Sequence, residues 1–94
     1  MGSVSIQLSN VSNIKERMFS YEIAGKASLF DVLNTWGAQN APDLLKRLFD
    51  LETGSIASTI LILLNGRSVK SEDPKTTMVS PDDAIIIMPV LVGG

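Results

Sequence analysis

Ninety-four residues, 45% of them hydrophobic and 19% charged, are enough for one small domain with a core and too apolar for disorder. A net charge of -2, with the eight cations scattered along the chain, leaves no electrostatic footprint for nucleic acid or an anionic membrane. With no Cys and no His, disulfides, thiolate nucleophiles, zinc sites of the usual ligand types and imidazole catalysis are all excluded.

The first residues show no basic segment followed by a hydrophobic stretch, so no secretory leader is read there. Ile6 stands where a myristoylation signal needs Ser or Thr. The longest apolar runs, Ile60–Leu64 and Ala84–Val92, fall far short of the roughly 20 residues that cross a bilayer. Together with the absence of cysteine, this fits a cytoplasmic chain in a reducing compartment.

In chain order, Val4 to Ser9 alternates strictly, with Val4, Ile6 and Leu8 on one side, and predicts a half-buried strand. Asn10 to Lys15 reads as a turn. Arg17 to Ala24 alternates again, with Phe19, Tyr21 and Ile23 on one face and Met18, Ser20 and Glu22 on the other, so the pair predicts an antiparallel hairpin. Ser28 is placed as an N-cap, Asp31 suits the positive end of the helix that follows, and Leu29, Val32, Leu33 and Trp36 form one apolar stripe. Gly37 is expected to end that helix in the left-handed conformation. Pro42 opens a second helix with Leu44, Leu45, Leu48, Phe49 and Leu51 on its apolar side, closed by Gly54.

Ile60–Leu64 is short and aliphatic, which suits a strand covered on both faces. Asn65-Gly66 is the strongest hairpin signal, since a type I′ turn needs positive φ at both central positions. Residues 67–69 return as a short strand, 71–77 form a polar connecting loop, and Ser80-Pro81-Asp82-Asp83 is a turn. Ala84 to Val90 is the last strand; both its faces are apolar, so it is expected centrally, beside the first strand. The order predicts an α+β fold in which one mixed sheet carries both helices on one face. No domain boundary appears, so residues 1–94 are read as one domain in which 90–94 form a flexible tail.

The chain stops at Gly93-Gly94 directly behind an apolar strand. At a glycine usage of about 7%, two terminal glycines arise by chance in roughly 0.5% of chains. This order of elements resembles the ubiquitin-like β-grasp fold, and more narrowly the MoaD/ThiS family of sulfur carriers. Leu63-Leu64-Asn65-Gly66-Arg67 is similar to the family's apolar strand running into a turn around an Asn. Ser80-Pro81-Asp82-Asp83 followed by Ala84-Ile85-Ile86-Ile87 is similar to its Gly-Asp-Glu turn into the last strand. Met88-Pro89-Val90 and then Gly93-Gly94 is similar to its Pro-Pro-Val-x-Gly-Gly ending. Pro81 replaces the usual Gly and Met88 the first Pro. Leu91-Val92 stand where one residue is usual, which adds roughly 3.3–3.6 Å of reach. Chain length and the second helix favour the MoaD branch over the shorter ThiS branch.

The resemblance implies a function for the tail. It carries no nucleophile, base or metal ligand, and its one reactive group is the α-carboxylate of Gly94. A partner adenylyltransferase of the ubiquitin-activating or MoeB type is expected to adenylate that carboxylate with ATP, so ATP is the partner's and no cofactor is bound here. Sulfur then converts Gly94 to a thiocarboxylate, for delivery to a molybdopterin precursor in a synthase with a large subunit, or to another acceptor. Val90, Leu91, Val92, Gly93 and Gly94 are the segment expected to enter a partner's active site, reaching at most about 17 Å. Without Cβ atoms, Gly93 and Gly94 fit a tunnel that excludes side chains. Met18 and Met88 are candidates for a docking surface, weighed against ordinary packing. Two other readings stay open: a modifier joined to lysines of target proteins through Gly94, and a non-covalent β-grasp interaction module. An enzyme in its own right is not expected, because the adjacent acid pairs Glu72-Asp73 and Asp82-Asp83 fall in turns.

Overall fold

The computed structural model describes residues 2–11, 14–50 and 52–90, without the side chains of 10, 11 and 14–16. Seven strands and two helices follow one another: β1 (Gly2–Val11), β2 (Ile14–Ile23), β3 (Ala27–Ser28), α1 (Leu29–Asn40), α2 (Pro42–Leu48), β4 (Ile60–Leu64), β5 (Arg67–Ser68), β6 (Met78–Val79) and β7 (Ala84–Pro89). Five of them form one mixed sheet in the order β2-β1-β7-β4-β5. β1 is antiparallel to β2 and parallel to β7, and β7 is antiparallel to β4. The last strand is therefore central and beside the first, as its composition predicts. β1 and β2 run further than the alternation indicated: Val11 pairs with Ile14, so the strands take in four residues of the turn predicted over 10–15, and its residues 12 and 13 lie outside the described ones.

The two helices lie on one face. Val4, Ile6 and Leu8 of β1, Ile60 and Ile62 of β4, and Ile85 and Ile87 of β7 are buried there against Leu29, Val32, Leu33 and Trp36 of α1 and Leu44 and Leu48 of α2. The period of two in the strands and the 3,4 spacing in α1 thus meet in a single core. Trp36 is 1% exposed, and the Phe19 ring meets it edge-on at 5.2 Å.

The start of α1 is closed in two ways. The amide of Asp31 donates to Ser28 Oγ at 3.1 Å, as an N-cap should. The first two amides donate across the fold, Leu29 N to Thr77 O at 2.8 Å and Phe30 N to Pro74 O at 2.9 Å. The polar segment 71–77 is thus no mere connection. Pro74 is fully buried, and its carbonyl satisfies a donor that a helix leaves orphaned. Just beyond it, β6 pairs with β3 in a second, two-stranded sheet that the composition gave no sign of. Ser28→Ala should cost about 1 kcal/mol in a urea titration, because only one of these three donors depends on the side chain.

Gly37 does not end α1. The helix continues to Asn40, and Gly37 is buried inside it, facing α2. A Cβ there would stand 3.1 Å from Leu45 Cβ and 3.2 Å from Leu45 Cδ1, so this glycine allows the close approach of the helices. Gly54 likewise does not close α2, which stops at Leu48 with Phe49 extended and bridged to Ile56. Gly54, at φ 73°, closes the following turn, its amide bound to Asp50 O at 2.7 Å. Leu51 lies outside the described residues.

Candidate functional site

Everything near the C-terminus is positioned by β7. Its start is fastened by a clasp from the β4–β5 turn. Asn65 and Gly66 both take positive φ, 52° and 84°, the pattern a type I′ turn demands. The Asn65 side chain then reaches back to the last strand: Oδ1 accepts from the Ala84 amide at 2.9 Å and Nδ2 donates to Asp83 Oδ1 at 3.0 Å. The other oxygen of Asp83 accepts from the Ser80 amide at 2.8 Å, and the Asn65 amide donates to Ala84 O at 2.8 Å. The two motifs that the sequence placed in separate turns are one hydrogen-bonded unit.

The end of β7 is fastened as well. Pro89 pairs with Ile60, and the Val90 amide donates to Thr59 O at 3.0 Å. Val90 is therefore still bound to the sheet by its backbone, whereas its side chain is 39% exposed. The first residue of the expected tail is thus held to the sheet by its backbone. Leu91, Val92, Gly93 and Gly94 lie outside the described residues.

Met18 and Met88 both fall on the sheet face turned away from the helices. Ile85 and Ile87 are buried in the core, so Ile86 and Met88 point the other way and are half-buried. The register lays Met18, Gln7, Ile86, Leu63 and Ser68 across four ladders in one row. Met88 sits opposite Leu61 in the next row. Met18 is 68% exposed, which removes core packing as its role. Met88, Ile86, Leu61 and Leu63 form a continuous apolar strip, and Gln7 stands between Ile86 and Met18.

This corrects one expectation. β4 was expected to be covered on both faces, yet Leu61 and Leu63, like Ile86 and Met88 of β7, keep part of their surface in solvent, because one helical layer covers only one side. Leu61, Leu63 and Ile86 share this face with Met88 and were not singled out in the sequence. An available signal was the polar outer face of β1, Ser5 and Gln7: a sheet with two covered faces would not put them next to Ala84 and Ile86.

A mixed sheet with a central parallel pair formed by its first and last long strands, holding two helices on one face, is the ubiquitin-like β-grasp fold. Solved structures share this fold. SAMP1 from Haloferax volcanii superposes with a TM-score of 0.74 at 22% identity, over 99% of this chain and 100% of that one. The small archaeal modifier protein 1 from Methanosarcina acetivorans gives 0.64 at 24% identity, over 100% and 98%. The thiamine biosynthesis protein ThiS from Geobacter metallireducens gives 0.53 at 15% identity, over 98% and 99%. No family model and no curated protein matches the sequence.

Proposed function

We propose that this chain is a carrier of an activated C-terminal carboxyl, in the manner of a ubiquitin-like sulfur carrier. The observation that carries the reading is β7: a central strand, fastened at both ends, that leads straight into Leu91-Val92-Gly93-Gly94. Four residues beyond Val90 reach about 14 Å at full extension, enough to enter a buried site while the domain stays outside. A partner adenylyltransferase joins the Gly94 carboxylate to AMP from ATP, with pyrophosphate leaving. A sulfur nucleophile displaces AMP, and Gly94 then carries a thiocarboxylate. The chain is substrate and carrier in this scheme; the partner is the catalyst.

The apolar strip of Met88, Ile86, Leu61 and Leu63, with Met18 at its rim beyond Gln7, is the surface we assign to the partner, since it adjoins the strand that delivers the tail. For the sulfur acceptor we favour a molybdopterin precursor held by a synthase large subunit, on the likeness of Met88-Pro89-Val90 and Gly93-Gly94 to the MoaD ending. A second reading has a specific observation behind it: two of the similar structures are of proteins whose name is small archaeal modifier. In that reading the same acyl-adenylate goes on to a lysine of a target protein.

ATP–pyrophosphate exchange tests the step the two readings share. The full chain should support exchange with a cognate adenylyltransferase, and a chain lacking Gly94 should reduce it to background. Exchange at background from both chains, with every cognate adenylyltransferase tried, would leave only the non-covalent interaction module.

A further inference from the structure

The Asn65-Gly66 turn holds a reaction that the proposed function does not use. Asn65 is the only asparagine of the chain followed by glycine. Both residues are exposed, and a Cβ on Gly66 would meet nothing within 4 Å, so nothing crowds the Gly66 nitrogen from that side. In such a pair the backbone nitrogen can attack the side-chain amide carbon, and a glycine without Cβ offers the least hindrance. Here, however, the amide is held at both ends, Oδ1 by Ala84 N at 2.9 Å and Nδ2 by Asp83 Oδ1 at 3.0 Å. Its plane cannot turn towards Gly66 without giving up these bonds.

We propose that Asn65 is a self-modification site that deamidates through a succinimide, and that the Asp83 carboxylate sets the rate by clamping the leaving amide. The Gly66 nitrogen loses its proton to solvent and bonds to Asn65 Cγ. The Cγ–Nδ2 bond breaks, and the nitrogen takes up a proton and leaves as ammonia. One water then opens the ring, giving aspartyl or isoaspartyl at 65. Neither oxidant nor reductant is needed. The product replaces a donor by a carboxylate beside Asp83, so two like charges face each other where a hydrogen bond had been. In the isoaspartyl form an extra backbone carbon also disturbs the turn. Either way the clasp on the first residue of β7 opens. The clamp thus guards the strand against its own neighbour.

The test is the rate of deamidation at Asn65 in the purified full chain, followed by peptide mass and by separation of the isoaspartyl form. Asp83→Ala should deamidate about five-fold faster than the parent in native buffer, the rate equivalent of one hydrogen bond of about 1 kcal/mol. Asp83→Asn, whose single amide oxygen can serve Asn65 or the Ser80 amide in place of the two carboxylate oxygens, should fall between the parent and Asp83→Ala. In urea all three should react alike and faster than the folded parent. Asp83→Ala reacting at the parent's rate in native buffer would overturn the proposal. So would a parent that reacts as fast folded as in urea, a comparison that needs no variant to fold.

Discussion

Replacing Trp36 by Ala should lower the unfolding free energy by about 3–5 kcal/mol. Domains of this size have about 5–15 kcal/mol in total, so the loss is a large fraction of the whole stability. Trp36 is the last of the four residues of the stripe Leu29, Val32, Leu33 and Trp36, it is 1% exposed, and Phe19 stands on it edge-first at 5.2 Å. Its removal leaves a cavity at the meeting point of α1 and the sheet, which a rigid β-framework fills poorly. The indole Nε1 is buried with no hydrogen-bond partner among the described residues. Trp36→Phe therefore loses volume but also removes an unsatisfied donor, and should cost clearly less than Trp36→Ala. Urea titrations of the two variants check the order; a loss below about 1 kcal/mol for Trp36→Ala would show that the site collapses around the gap.

The second large effect belongs to the open face. Met88→Glu keeps the length of the side chain on a half-buried position opposite Leu61, and puts a charge into the apolar strip. A hot spot at the centre of an interface costs about 2 kcal/mol or more, which is about 30-fold in kcat/KM for adenylation of the chain. Met18→Glu, at the exposed rim of the same face, should cost less. Far-UV circular dichroism and thermal melts should show both variants folded. Unchanged adenylation kinetics in a folded Met88→Glu would move the docking surface elsewhere on the molecule.

Much of this fold is legible in the sequence because its signals are local. Strict alternation gives β1 and β2, the 3,4 stripe behind Ser28 gives α1, Pro42 opens α2, and Asn65-Gly66 marks the β4–β5 hairpin. The central place of β7 follows from its apolar faces. What escaped depends on residues far apart in the chain. Gly37 carries the signature of a helix end, and only the presence of Leu45 across from it explains why the helix runs on. The carbonyls of Pro74 and Thr77 close a helix that starts over 40 residues earlier, and nothing in 71–77 announces that role. The apolar strip arises because Ile86 and Leu63 come into register beside Gln7, and register between strands is a property of the assembled sheet. The tail was legible as chemistry alone: a terminal carboxylate on two glycines.

The most direct measurement on the central claim is the intact mass of the full chain after incubation with ATP, a cognate adenylyltransferase and a sulfur source. The account predicts a gain equal to one oxygen replaced by one sulfur, confined to the C-terminal peptide and absent from a chain that lacks Gly94. An unchanged mass with every cognate adenylyltransferase tried, together with no lysine-linked conjugates of the chain in lysate, would contradict it.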